Sequence, residues 1–200
     1  MNIEKLNEKN LFDVIATLFS EHANKIESQK RIKTKIRTFI PDYYLDTGEH
    51  IFMFEFDGPH HFTSTKTQIR DIALSDYCIN HDIFLIRIPY FLQIDSGTLP
   101  GLFPQFIIDH YDLYDHIGNI TTEYVSGFHD SKIVFPADFN EYGFEIFNKI
   151  YLSFVDVDRL SVMRQIYKSL INEKYTPLET LGINFVYNKN KKNLFENYPT

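Results

Sequence analysis

The sequence has little cysteine, no long apolar run and no excess of positive charge. Its single cysteine, Cys78, cannot form an internal disulfide, and we therefore expect a protein of the reducing cytoplasm. No stretch is apolar for long enough to span a bilayer, and no hydrophobic signal region follows the first residues, so we expect neither membrane insertion nor secretion. The net charge of −7 argues against a surface covered with groups that bind nucleic acid.

Basic side chains nevertheless collect in one segment of the first quarter of the chain. The chain has 200 residues, which is long enough to bury one good core and a second small one. We therefore expect the basic segment to be part of a folded protein. It is either a solvated face or a surface for an anionic partner. Its basic residues are Lys25, Lys30, Arg31, Lys33, Lys35 and Arg37.

The first forty residues predict a helix followed by a strand. Residues 11–28 have apolar side chains at helical spacing. Residues 31–40 alternate as a strand, with Ile32 and Ile36 on one face and the basic side chains on the other. That basic face leads toward Asp42.

Two nearly continuous apolar runs predict central strands buried on both sides. These runs are residues 51–57 and 84–88. Residues 66–80 between them predict a helix, with Thr65 as its cap. The order of helices and strands implies an α/β fold, a mixed sheet with helices on its faces.

The second half of the chain predicts a mainly helical extension. Helical spacing covers residues 103–114, 141–154 and 157–172. Glycines and prolines between these helices and the sheet suggest a boundary, which divides the chain into a core over 1–97 and an extension over 98–200. The extension either forms a separate unit or packs as one domain with the core.

Carboxylates and imidazoles collect at one end of the first apolar run. Glu55 and Asp57 end this run and point to the same face, because side chains on a strand alternate. The Gly-Pro turn that follows would bring His60 or His61 back toward them. Asp42 joins the same end if the preceding strand pairs through the turn at residues 46–48. Three carboxylates and an imidazole suit a hard divalent cation and an activated water.

The order of motifs over residues 29–91 carries a resemblance to a known nuclease family. The motifs are Asp42, Glu55-Phe56-Asp57-Gly58-Pro59-His60-His61-Phe62, Asp71, Tyr77-Cys78 and Leu85-Ile86-Arg87-Ile88-Pro89-Tyr90. This succession resembles the Vsr-like branch of the PD-(D/E)XK nuclease superfamily, including the phage homing-type endonucleases. The resemblance implies a restriction-endonuclease-like fold and a metal-dependent DNA endonuclease that nicks or cuts both strands in a phage, mobile-element, repair or restriction setting.

The chemistry of phosphodiester hydrolysis and the resemblance together assign a metal site. Mg²⁺, with Mn²⁺ as a substitute, would bind Asp42 and the backbone carbonyl of Phe56, with Glu55 or Asp57 bound directly or through water. The superfamily's Lys is absent, and Asp57 stands in its place.

Further catalytic roles fall to a histidine and two acidic residues. His61 would accept a proton from the attacking water or orient it, and Asp71 would orient the histidine. Homing-type relatives also use a Glu in the N-terminal helix, and the matching place here is Asp13, with Glu21 as a fallback. The family's usual Gln before the histidine is His60.

DNA is the partner that these assignments predict. Lys30, Lys33, Lys35 and Arg37 would bind its phosphate backbone, and the extension would supply recognition or dimerisation, as in a homodimer. Two alternatives stay open: a catalytically silent restriction-fold subunit that binds DNA or protein, and an RNA or structure-specific nuclease.

Arg87 is expected to be a structural ion-pair partner and Cys78 a core residue. The later histidines, among them His110, match no zinc spacing.

Overall fold

A computed structural model describes residues 4–90, 92, 94–125, 139–143 and 145–146. Its strands are β1 (Glu4–Lys5), β2 (Ile26–Ser28), β3 (Ile32–Lys33), β4 (Thr38–Phe39), β5 (Tyr43–Asp46), β6 (Ile51–Asp57), β7 (Ile83–Pro89) and β8 (Tyr124–Val125). Its helices are α1 (Leu11–Leu18), α2 (His60–Thr63), α3 (Thr65–Ile79), α4 (Leu99–Leu102), α5 (Gln105–His110) and α6 (Leu113–Glu123). A 3₁₀ helix covers Ser20–Lys25.

A four-stranded mixed sheet in the order β2-β5-β6-β7 forms the centre of the molecule. β5 and β6 are antiparallel and joined through the predicted turn, with Asp46 opposite Ile51. β6 and β7 are parallel, and α3 makes the crossover between them. The predicted mixed sheet with flanking helices is therefore confirmed.

Helices cover both faces of the sheet because β6 is apolar on both sides. Phe52 and Phe54 are fully buried in a large cluster that includes side chains of α1 and of α4–α6. Met53 points to the other face, where α3 supplies Leu74 and Cys78. Cys78 is a core residue, as predicted, and its thiol donates to Met53 Sδ at 3.7 Å.

The predicted helix over 11–28 is too long. The helix ends at Leu18, and Ile26–Ser28 form a strand that pairs with β5. No Gly or Pro lies between the helix and this strand, and the helical spacing of apolar residues continues from one to the other. The hydrogen bonds of the sheet edge thus override the local pattern in the last three residues.

The predicted strand over 31–40 is wrong as a single element. It is a hairpin, in which Ile32 pairs with Phe39 and Lys33 with Thr38. The Thr34 side chain closes the tip by accepting from the backbone N–H groups of residues 36 and 37. Ile36 therefore lies at the tip, 89% exposed, and does not share a face with Ile32.

Two helix predictions need smaller corrections. The cap of α3 is Ser64, not Thr65, and its hydroxyl accepts from Thr67 N. The helix predicted over 103–114 is broken at Asp112, which has a positive φ of 50°, into α5 and α6.

The described part of the extension packs into the main cluster. Leu99, Phe103, Ile107 and Leu113 are buried there beside residues of α1 and β6. The helices predicted at 141–154 and 157–172 lie almost entirely outside the described residues, so the division of the chain stays a prediction. None of the described helices is long and apolar enough to cross a membrane.

Candidate active site

A cleft of about 340 Å³ opens at the carboxyl end of β6. Four residues predicted for the site line it: Asp42, Glu55, His61 and Asp71. The further polar residues that line it include Glu8, Gln29, Arg37 and Arg70. The cleft thus collects groups from the N-terminal segment, β6, α2, α3 and the hairpin.

Strand register places Asp42 beside Glu55. The ladder pairs Tyr43 with Phe54, so Asp42 lies level with the residue that follows Phe54. Its carboxylate oxygen Oδ2 accepts from the backbone N–H of Phe56 at 2.8 Å. The turn at residues 46–50 therefore brings together two of the three carboxylates that the sequence predicts to converge, Asp42 and Glu55.

Both carboxylates are held in surroundings that disfavour their charge. Burial raises the pKa of Asp42, a hydrogen bond from Phe56 N opposes this rise, and the charge of Glu8 adds to it. Burial also raises the pKa of Glu55 to about 8, and the charge of Asp42 adds to the rise. A cation bound between the two carboxylates would relieve this repulsion.

The donors in this cleft fit a hard cation that keeps part of its water. No three carboxylate or imidazole donors in the cleft lie within 4.8 Å of one another, since the one such group in the described chain is elsewhere. Mg²⁺ uses only one or two carboxylates and retains several waters. The Phe56 carbonyl accepts from Gly58 N at 3.1 Å and has a second lone pair for a ligand.

Hydrogen-bond accounting fixes the orientation of His61. Its Nδ1 lies 2.8 Å from Asp71 Oδ2 and 3.0 Å from Arg87 Nη2. Arg87 Nη2 donates to Asp57 Oδ1 at 2.6 Å, and it also forms an ion pair with Asp71 Oδ1 at 3.1 Å. An ionised carboxylate can only accept, so Nδ1 carries a proton and donates to Asp71. In the neutral imidazole, Nε2 of His61 then has the lone pair.

The ion pairs behind His61 keep Asp71 charged. Burial alone would raise the pKa of Asp71, but the hydrogen bond from His61 and the charge of Arg87 lower it below its usual value. The predicted orienting role of Asp71 thus agrees with the geometry, and Arg87 is the ion-pair partner that the sequence suggested.

Asp57 supports this arrangement from below the cleft. Its residue is only 2% exposed, and Arg87 binds both carboxylate oxygens, with Nε at 2.7 Å from Oδ2. Asp57 Oδ1 also lies 3.5 Å from His61 Nδ1. A carboxylate paired in this way positions other groups, and it does not line the cleft as a metal ligand.

Residues 139–143 contact α2 and the start of α3. Phe139 stacks on Phe62, with ring centroids 4.8 Å apart, and Asn140 exchanges hydrogen bonds with the Gln68 amide. A Cβ on Gly143 would lie 1.8 Å from the carbonyl oxygen of Phe62. The backbone next to His61 is therefore held by a contact that only glycine permits.

His60 is the exposed member of the histidine pair. It also lines the cleft, and its ring centroid lies 4.3 Å from that of His61. Burial and the neighbouring His61 lower the pKa of His60. The described structure gives His60 no side-chain hydrogen bond comparable to the pair between His61 and Asp71.

Two predicted acidic residues lie away from the cleft, and one that was not predicted lines it. Asp13 is exposed on α1, and Glu21 lines a different pocket with Tyr111. Glu8, directly before α1, lines the cleft instead. Gln29 Nε2 bridges Glu8 Oε1 at 3.4 Å and Asp42 Oδ1 at 3.3 Å. The only sequence signal for Glu8 is an acidic residue ahead of the first helix.

A second, basic cleft adjoins the first. It measures about 790 Å³ and lies between the hairpin and α3, lined by Lys33, Lys35, Arg37, Tyr77 and other residues. Arg37 lines both clefts and so connects them. Lys33, Lys35 and Arg37 therefore line one cleft because the chain folds into a hairpin, and not because they share one face of a single strand.

Lys30 is not part of this basic surface. Its Nζ lies 2.6 Å from Glu27 Oε1 and 3.6 Å from the centre of the Tyr44 ring. This predicted DNA contact is thus occupied by an ion pair and an aromatic ring within the protein.

Comparisons of the chain with family models, curated proteins and solved structures gave no match.

Proposed function

We propose that this protein is a Mg²⁺-dependent DNA endonuclease with a restriction-endonuclease-like core. The observation that carries the proposal is the pairing of His61 with Asp71 beside the buried carboxylates of Asp42 and Glu55. A histidine oriented through Nδ1, next to acids that favour a cation, is the arrangement that metal-assisted hydrolysis needs. The mixed sheet with a helical crossover between its parallel strands supports the proposed core.

Asp42, Glu55 and the Phe56 carbonyl would hold the metal ion, with Mn²⁺ as a substitute. When bound, the ion supplies positive charge for a phosphate and lowers the pKa of a water molecule. The raised pKa of each carboxylate supports this assignment, because both acids gain from a cation in place of a proton.

His61 accepts the proton from the attacking water in this proposal. Its Nε2 has the free lone pair, and Asp71 stabilises the imidazolium that forms. Arg87 fixes Asp71 in turn, and the bidentate pair with Asp57 fixes Arg87. In this series of contacts, Asp57 positions Arg87, Arg87 positions Asp71, and Asp71 positions His61. Only His61 would touch the reacting water.

The basic cleft offers a path for the DNA backbone. Lys33, Lys35 and Arg37 present cations along it, and Arg37 extends to the acidic cleft. Phosphate contacts of this kind give affinity without sequence information. The net charge of −7 makes a local basic surface the part of the molecule suited to DNA.

One observation favours a second candidate, a catalytically silent subunit of the same fold. Asp57 replaces the superfamily's Lys and is neutralised by Arg87, so no cation of this strand faces the cleft. In that case DNA or a protein would bind at the basic cleft without being cut.

The test is incubation of the purified protein with supercoiled plasmid and Mg²⁺ or Mn²⁺. The proposal predicts nicked or linear plasmid, and no product when EDTA is added. Asp46→Asn is a matched control at the exposed far end of β5 and should cut like wild type. Plasmid that binds but stays supercoiled supports the silent subunit, and cleavage of RNA alone supports an RNA nuclease.

A further inference from the structure

We propose that Glu49, His50 and His110 bind a zinc-type transition metal ion at the end of the sheet opposite to the cleft. One donor atom from each residue lies within 4.8 Å of the other two. His110 Nε2 is 3.1 Å from Glu49 Oε2. This proposal does not depend on nuclease activity.

The fold brings these three residues together from two separate elements. Glu49 and His50 end the turn before β6, and His110 is the last residue of α5. β6 has seven residues, and at about 3.3 Å per residue it separates this group from the acidic cleft by roughly 20 Å. A metal here would join the β5–β6 turn to the helices of the extension.

The Tyr111 hydroxyl adjoins one ring nitrogen of His50 and offers it a hydrogen-bond partner. The Thr47 hydroxyl donates to the His50 carbonyl at 3.1 Å, and its oxygen lies 2.9 Å from the Tyr111 hydroxyl. The Tyr111 oxygen also lies 2.9 Å from His50 Nδ1, for which it can serve as the hydrogen-bond acceptor. When Nδ1 donates to Tyr111, Nε2 has the lone pair that a metal requires.

This arrangement is typical of metal-ligating histidines. They commonly donate their second ring N–H to a protein acceptor, which fixes the tautomer and orients the ring. The His50 ring also packs against the rings of Phe84 and Phe106, with centroids 5.7 and 6.1 Å away. His50 is thus positioned before any ion binds.

The donor set selects the class of metal. Two imidazoles and one carboxylate suit Zn²⁺, Co²⁺ or Ni²⁺, whereas Mg²⁺ prefers oxygen ligands alone. The side chains of Glu49 and His110 are 69% and 45% exposed, so an ion can reach them from solvent. Three protein ligands leave a fourth position for water.

The first test is equilibrium dialysis of Zn²⁺ against wild type and four variants. We expect wild type to bind Zn²⁺ at this site, and His110→Ala and Glu49→Gln should each weaken Zn²⁺ binding there at least tenfold. Asp42→Asn should retain that site because it alters the distant cleft, and His81→Ala should retain it as a histidine control at the end of α3. Absence of a site in wild type, or unchanged affinity in both His110→Ala and Glu49→Gln, would overturn the proposal.

The second test probes the tautomer argument. Tyr111→Phe keeps the ring and all three ligands but removes the acceptor for His50 Nδ1. Zn²⁺ affinity should fall by roughly 10- to 100-fold, the usual effect of losing such a partner. Zn²⁺ should also raise the melting temperature of wild type and His81→Ala but not of His110→Ala. Equal stabilisation of all three would place the metal elsewhere and contradict the proposal.

Discussion

His61 and His60 adjoin each other in the chain, yet the structure gives them different surroundings. His61 donates to Asp71 and lies within reach of the Asp57–Arg87 pair, whereas His60 is exposed. The motif left the choice between the two rings open. The contacts that distinguish His61 include Arg87, a residue 26 positions later in the chain that no local pattern connects to the histidine.

His61→Ala should lower the cleavage rate by roughly 10²–10⁴, because it removes the proposed general base. His60→Ala is the matched control and should cost far less. Initial rates on supercoiled plasmid under single-turnover conditions measure both variants. A large loss for His60→Ala together with none for His61→Ala would reverse the assignment.

The pKa of Glu55 makes the metal-free protein less stable at high pH. Its pKa rises from 4.5 in the unfolded chain to about 8 in the folded protein. The folded state therefore holds a proton that the unfolded state releases, and the free energy of unfolding falls as pH rises from about 4.5 to 8. Between pH 6 and pH 8 we expect a loss on the order of 1–3 kcal/mol.

Urea unfolding in EDTA, with and without the Glu55→Gln substitution, measures this loss. Glu55→Gln should show a smaller decrease between pH 6 and pH 8, because its side chain does not ionise. Mg²⁺ should stabilise wild type more at pH 8 than at pH 6. An identical pH dependence for the two proteins would show that Glu55 is not the group responsible.

Among the elements, the hairpin of β3 and β4 differs most from its prediction. Ile32 and the basic residues alternate as in a strand, and no glycine or proline interrupts them. The turn is made by the Thr34 hydroxyl, which bonds to the backbone of the tip, and such hydroxyl turns have a weak sequence signal. Long apolar strands such as β6 were predicted because burial on both faces leaves few alternatives.

Replacing Lys33, Lys35 and Arg37 with Gln should flatten the slope of log K against log salt by two to three units, at about 0.9 per phosphate contact. The loss of affinity should be similar for all sequences, because phosphate contacts carry little base information. Fluorescence anisotropy on one duplex in Ca²⁺, which prevents cleavage, gives the slopes.

Lys30→Gln and Lys35→Gln form a matched pair for the same measurement. Lys30 is already paired with Glu27, so Lys30→Gln should leave the slope unchanged. Lys35→Gln should reduce the slope by about 0.9. If the triple variant has the wild-type slope, the DNA path lies elsewhere on the molecule.

At the scale of the whole molecule, the described part of the extension shares its core with the sheet. Phe103 is 2% exposed, and its ring centroid lies 6.0 Å from that of Phe19. Glycines and prolines near residue 100 suggested a boundary; of these, Pro100 and Gly101 lie within α4, whose Leu99 is buried in the same cluster as the sheet. The division of the chain stays a prediction. Contacts between residues this far apart in sequence produce no local sequence pattern. The position of Glu8 in the cleft was not predicted for the same reason.

Phe103→Ala should lower the free energy of unfolding by about 3–5 kcal/mol in a single cooperative transition. Phe106→Ala, at a position 55% exposed, is the control and should change it by about 0.5 kcal/mol. Circular dichroism and tyrosine fluorescence during urea unfolding report on both. Two separate transitions, with only one shifted by Phe103→Ala, would mean that the extension folds independently.

The account of the cleft depends most on Asp42, which the sheet register places beside Glu55. The decisive measurement is plasmid cleavage in Mg²⁺ by wild type and Asp42→Asn at equal concentration, with duplex binding in Ca²⁺ and circular dichroism measured on the same samples. The account predicts cleavage by wild type and none by Asp42→Asn, with nearly unchanged fold and DNA binding. Cleavage by Asp42→Asn at the wild-type rate would contradict it.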